Sequence, residues 1–169
     1  FIGKDGSNFH YDWKGDKIYE GAKSNKNSYR QTKEFSGIYF EPGNVDKNDP
    51  AWGTMALTTP NKNGVSYRTS SVQNAWGNAI LDFWDDFSRD GMLTEKEFEG
   101  SHSPRASLAV KKVLKPDETK TFEFFITWHF PNRKAWASEL VGNYYTTQFE
   151  DAWDVIAKTQ PRIGDLEEK

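Results

Sequence analysis

Asp86, Ser88, Asp90 and Glu97 stand at the first, third, fifth and twelfth positions of the stretch DFSRDGMLTEKE. That is the spacing at which an EF-hand loop offers hard oxygen ligands to Ca²⁺, with the last Glu able to give two. Gly91 occupies the sixth position, where the loop turns sharply, Leu93 the eighth and Thr94 the ninth. A competing reading needs no metal. An acidic helix end runs into an ordinary Asp-Gly turn, with Leu93 in the core. The plainer reading is preferred, because EF-hands come in pairs and only one such loop exists here. The chain also reaches Gly100 and Ser101-His102-Ser103-Pro104 too soon for a second helix of normal length. Ca²⁺ is the one cofactor the sequence suggests.

Other chemistry is less well supplied. Hydrolysis of a glycosidic bond takes two carboxylates across the bond. Asp85 and Asp86 are neighbours, so on a helix they point about 100° apart. Glu150, Asp151 and Asp154 fall near the start of a helix, where negative charge complements the dipole. No acid lies in a catalytic signature. His129, between Trp128 and Phe130 in a strand, reads as a hydrogen-bonded structural histidine, and His10 and His102 share no ligand spacing with it. There is no cysteine, no Gly-x-Ser-x-Gly elbow and no phosphate-cradling glycine loop. Trp52, Trp76, Trp136, Tyr144 and Tyr145 lie near loops or element ends and could stack on sugars. Trp84, Trp128 and Trp153 belong to regular apolar stripes and are expected in the core.

The elements that would carry these residues follow from periodicity. FSGIYF (35–40), WGTMALTT (52–59) and VSYRTSSV (65–72) alternate with a period of two and read as strands, ended by Pro42-Gly43 and by Pro60 with NKNG. KSNKNSYRQTKE (23–34) reads as a surface loop. Trp76, Ile80, Phe83, Trp84 and Phe87 recur at helical spacing, which predicts a core-facing helix over 75–87. SLAVKKVL (107–114) and TKTFEFFITWHF (119–130) flank the turn Lys115-Pro116-Asp117-Glu118 and predict a hairpin. In its second strand Phe122, Phe124, Ile126, Trp128 and Phe130 form an apolar face, expected to be the buried one. Thr147 to Glu150 has the capping-box pattern, and Phe149, Ala152, Trp153, Ile156 and Ala157 form the stripe of a C-terminal helix that Pro161 stops or kinks.

The fold class is therefore mainly β: a two-layer β-sandwich with a short helix after the third strand and a C-terminal helix. Residues 1–34 read as an irregular lead-in, 35–145 as the sandwich core and 146–169 as the C-terminal helix and the start of a linker. The 169 residues suit one domain. Aromatics reach 15%, with seven Trp, while the mean hydropathy is −0.85. A net charge of −3 with no basic tract argues against nucleic acid as a partner, and no apolar run is long enough for a transmembrane segment. The chain opens on Phe1 with no signal pattern and closes on GDLEEK, so a piece of a longer polypeptide is expected.

The blocks WGTMAL, VSYRTS, FWDDFSRDGML, SLAV, KPDET, FITWHFPNR and VGNYYTTQFEDAWDV resemble, in order and spacing, the later part of the N-terminal β-sandwich domain of glycoside hydrolase family 116. TWHFPNR, NYYT and DAWDV are the most specific of them. This is the β-glucosidase and non-lysosomal glucosylceramidase family. The resemblance implies a non-catalytic domain that supports an (α/α)₆ barrel of the same polypeptide, which carries the nucleophile Glu and the acid/base Asp. No position here matches either motif. The implied substrate of the parent is a β-glucoside or glucolipid, with Trp136 to Asp154 partly in the interface with the barrel. A stand-alone carbohydrate-binding sandwich is the alternative.

Overall fold

The structure, a computed structural model, describes residues 24–71, 78–96 and 104–168. These residues form six strands in two antiparallel sheets. Strands β1 (Lys26–Gln31), β2 (Ser36–Glu41), β3 (Thr54–Thr59) and β6 (Phe125–His129) make a four-stranded sheet in the order β1-β2-β3-β6, while β4 (Val65–Arg68) pairs with β5 (Ser107–Val110). Helix α1 (Asn78–Asp90) follows β4, and α2 (Ala152–Thr159) and α3 (Ile163–Glu167) close the described chain. The expected mainly β architecture, with a helix between strands and another at the C-terminus, is what the chain adopts.

Two elements differ from expectation in their pairing. Lys26–Gln31, read as loop, is the edge strand β1. Its polar composition hides it, since an edge strand pairs on one side only and needs no apolar alternation. Its one large aromatic, Tyr29, stacks on Tyr67 of β4 with ring centroids 3.9 Å apart. The predicted hairpin has its turn but not its pairing. Glu118 N donates to Lys115 O at 3.1 Å, and Asp117 takes a positive φ of 63°. The arms then diverge, β5 joining β4 and β6 joining β3. Consecutive strands are usually neighbours, but not always.

The cap of the four-stranded sheet is α2. Tyr39, Ala56 and Ala152 form a buried cluster with Trp153 packed against it, and Trp153 meets Phe35 at 5.0 Å between centroids. Both backbone groups of Ala152 are engaged by threonines: Ala152 N donates to Thr54 Oγ1 at 2.9 Å, and Thr127 Oγ1 donates to Ala152 O at 2.7 Å. The helix start is Asp151, not the predicted box at Thr147. Asp151 accepts from Asp154 N at 2.8 Å, and Asp154 accepts in return from Glu150 N at 3.0 Å. Asp-x-x-Asp does the work of the capping box four residues further on. Thr147 instead ends the 3₁₀ turn Tyr144–Thr147 and donates to Tyr144 O. Pro161 breaks the helix as expected, in a 3₁₀ turn between α2 and α3.

The sheet's other face is covered only in part. Register places Tyr29, Ile38, Leu57 and Ile126 in one row across it, and Asn27, Phe40, Met55 and Trp128 in another. The β4–β5 pair sits over the β1 side, where Asn27 Nδ2 donates to Thr69 O and Pro104 O, and Ile38 is fully buried. On the β6 side Ile126 is 62% exposed and Trp128 54%, with Phe122 and Phe124 also in water. The expectation for β6 is thus inverted. Phe125, Thr127 and His129 face α2, and the apolar face is the open one, because α2 covers the opposite side of the sheet.

Helix α1 is inverted in the same sense. Ile80 and Trp84 of its predicted core stripe are exposed, and its buried residue is Asp86. Trp76, the first member of that stripe, lies outside the described residues.

Candidate functional site

Arg68, the last residue of β4, is 1% exposed and gathers the acids of α1. Ser66 and Arg68 share the inward face of β4, since strand side chains alternate. On α1, Asp82 and Asp86 are four residues apart and therefore share one helical face. Arg68 Nη1 donates to Asp82 Oδ2 at 2.5 Å, Nη2 to Asp86 Oδ2 at 2.7 Å, and Nε to Thr94 O at 3.0 Å. Lys96 Nζ completes Asp82 at 2.6 Å. Asp86, 7% exposed, also accepts from Thr94 N at 2.7 Å, Thr94 Oγ1 at 2.8 Å and Arg89 Nη2 at 2.9 Å. The loop that makes this possible is the Asp-Gly turn. Gly91, at φ 74°, closes α1 by donating to Phe87 O, as a left-handed glycine at a helix end does. The chain then folds back, and Leu93 N donates to Ser66 Oγ at 2.9 Å.

The arrangement sets the charge state. The backbone N–H of Thr94, then its hydroxyl and the Arg68 guanidinium, hold the Asp86 carboxyl down at about 2 against the opposing effect of burial. The ammonium of Lys96, with Arg68, lowers Asp82. A general acid in glycoside hydrolysis needs a raised pKa, and these two carboxylates are driven the other way. Their chemistry is to hold β4, α1 and the following loop together. A depressed folded-state pKa contributes stability above the unfolded value near 3.9, and that contribution is lost as pH falls through the folded value. The urea midpoint is expected to stay flat from neutral pH to about 4 and then drop steeply toward about 2. An Asp86→Asn variant should start lower and show a shallower acid limb.

Of the Ca²⁺-loop residues, Asp86 has both oxygens taken by protein donors. Ser88 and Asp90 are exposed, Asp90 accepts from Met92 N, and Glu97 lies outside the described residues. Among the described residues no three acidic, histidine or cysteine side chains are placed to hold a metal ion. A cation at Asp86 would have to compete with the guanidinium groups of Arg68 and Arg89.

His129 is buried, and its Nε2 lies 2.9 Å from Phe149 O. A carbonyl only accepts, so Nε2 carries the proton and donates, the structural role expected. His10 and His102 lie outside the described residues. Among the aromatics, Trp136 is 104% exposed, on a loop braced by hydrogen bonds from Ala135 N to Glu139 O and from Val141 N to Arg133 O. Tyr144 is exposed. Tyr145 is half-buried and accepts from Phe130 N at 2.9 Å, and Trp52 is half-buried. Trp153 is in the packed core as expected, whereas Trp84 and Trp128 are not, because the faces that carry them are the uncovered ones.

Sequence reasoning missed Arg68, Asp82 and Lys96. The signal was present: an arginine at an inward position of an alternating strand asks for buried acids, and Asp82 and Asp86 stand four apart on the next helix. No helix among the described residues is long and apolar enough to cross a membrane.

No curated protein matches the chain. The family model described as beta-glucosidase 2, glycosyl-hydrolase family 116 N-term, matches residues 4–165. Across nearly its whole length, then, this chain belongs to the N-terminal domain family of glycosyl-hydrolase family 116, the non-catalytic portion of a glycoside hydrolase.

Proposed function

We propose that the chain is a scaffold rather than a catalyst, supporting an (α/α)₆ catalytic barrel of the same polypeptide that cleaves a β-glucoside or glucolipid of the glucosylceramide type. The observation that carries this reading is the uncovered apolar surface. Ile126 and Trp128 of β6, and Ile80, Leu81 and Trp84 of α1, are exposed. Clusters of exposed large apolar side chains of this kind mark interaction sites. The carboxylates of the cluster, buried Asp86 and half-buried Asp82, are pinned by cations, which supports the absence of catalysis here. In this reading the body of the support domain takes in β1 and α2 as well as residues 35–145, and the segment after α2 leads toward the barrel.

The test is paired. The purified chain is assayed on an aryl β-glucoside, and the double change Ile126→Ser with Trp128→Ser is made both in the chain and in the whole enzyme. The expected result is no turnover by the chain, better solubility of the altered chain, and a lower yield of active whole enzyme. Sustained turnover by the chain, lost in one acid-to-amide variant that still folds, would sink the proposal.

A carbohydrate-binding module is the second reading, favoured by the full exposure of Trp136 with Tyr144 beside the same loop. Under that reading a glycan panel would quench the tryptophan fluorescence of the chain, and Trp136→Ala would remove the response.

A further inference from the structure

We propose that Asn63–Gly64 is a self-modifying site, a spontaneous deamidation point placed where the chain leaves one sheet for the other. Asn63–Gly64 is the sequence's single Asn-Gly pair, and Asn belongs to the thermolabile residues. The pair lies in the link between β3 and β4, and Asn63 is exposed. Among the described residues nothing accepts from the Gly64 N–H and nothing holds the Asn63 side chain. Glycine leaves that nitrogen unshielded, having no side chain.

The chemistry needs only water. The Gly64 amide nitrogen, giving up its proton to water or hydroxide, attacks Asn63 Cγ. A new N–Cγ bond forms, the bond from Cγ to Nδ2 breaks, and ammonia leaves. Water then opens the five-membered imide. Cleavage of the N–Cγ bond gives aspartate, and cleavage between the nitrogen and the main-chain carbonyl carbon gives isoaspartate, with one extra methylene in the main chain.

A second site of similar chemistry supplies the contrast. Asp90–Gly91 could form the same imide with loss of water, but its nitrogen is engaged. Gly91 N donates to Phe87 O at 2.8 Å, and Asp90 Oδ1 accepts from Met92 N at 2.9 Å. The helix end protects one pair, and among the described residues nothing engages the other.

The place of the reaction gives it consequence. Gly64 sits at φ 71° against β5's end, its carbonyl accepts from Lys111 N at 2.8 Å, and a Cβ added to it would lie 2.2 Å from Lys111 O. Backbone abutting backbone leaves no slack for an added methylene. The isoaspartyl form loses the register that starts at Val65↔Val110, and with it the seating of Arg68.

The test ages the whole folded chain at mildly acidic and at alkaline pH, beside a free peptide spanning residues 60–68. Peptide mass spectrometry after acid digestion reads the amide-to-acid exchange, isoaspartate is assayed separately, and melting is followed on the same samples. Conversion at Asn63 within a few-fold of the free peptide is expected, faster in alkali, with a lower-melting fraction growing in step. Asn63→Gln should stay intact and keep its melting temperature. Conversion slowed by an order of magnitude in the folded chain, prior isomerisation at Asp90, or conversion with no change in melting would overturn the proposal.

Discussion

An Arg68→Met chain is expected to lose about 3–5 kcal/mol of stability, the usual cost of removing one partner from a buried charge network. The loss should sit near the top of that range, because the guanidinium serves three acceptors at once: Asp82, Asp86 and the Thr94 carbonyl. Asp86 would keep Thr94 and Arg89 but lose the one fully buried cation beside it. Arg68→Lys should fall between wild type and Met, since an ammonium cannot span both carboxylates in a fork. Urea denaturation of the three proteins would read the order. Equal midpoints for Lys and Met would mean that bidentate geometry contributes nothing. A Met variant as stable as wild type would mean that the network is decoration on an already stable helix contact.

Gly37→Ala is expected to prevent folding outright. An added Cβ would lie 2.1 Å from Leu57 O, 2.6 Å from Thr58 Cα and 2.9 Å from Leu57 C. All three belong to the backbone of β3, so no side chain can swing aside and the β2–β3 ladder itself would have to part. Ordinary overpacking costs about 1–3 kcal/mol; a wedge in the centre of the only four-stranded sheet among the described residues exceeds that. Gly91→Ala is the control, where an added Cβ would meet only the Lys111 side chain at 3.7 Å but the φ is 74°. It should cost only about 1–2 kcal/mol, the left-handed penalty for an L-residue. Circular dichroism and limited proteolysis separate the two outcomes. A folded Gly37→Ala chain would show that the ladder gives more than its geometry suggests.

The strands with alternating residues and punctuated ends, β2, β3 and β4, were legible in the sequence, as were the existence of α1, the helix over Ala152–Thr159 and the turn at Lys115–Glu118. The faces were not. Periodicity reports that a stripe is apolar, and it does not report which surface covers it. On β6 the mixed face of Thr127 and His129 was the one to be covered, because Thr127 donates to Ala152 O at the start of α2 and His129 to Phe149 O just before it. On α1 the acids went inward, because Arg68 was waiting there. In both inversions the apolar stripe lies on the face that the described elements leave open, while a polar face is the one engaged. β1 escaped notice for a local reason, since KNSYRQ has the composition of a loop and pairs along one edge alone. The candidate Ca²⁺ spacing was accurate as spacing, yet Asp86 spends its oxygens on cations of the chain.

The two threonines that grip Ala152 also set an order of events. β1, β2 and β3 are successive antiparallel neighbours and can pair as soon as each leaves the ribosome. Their cap cannot. Thr54 waits for an N–H that lies 98 residues further along the chain. Contacts of such separation in sequence slow folding, because the chain entropy between them must be lost first. Until Ala152 has been made, the Tyr39–Ala56 surface is therefore an open sheet, stable only as far as its own hydrogen bonds allow. A nascent chain halted before Ala152 would leave this face of the sheet open to its surroundings, and the step that closes it waits for a segment far along the chain from the strands it covers.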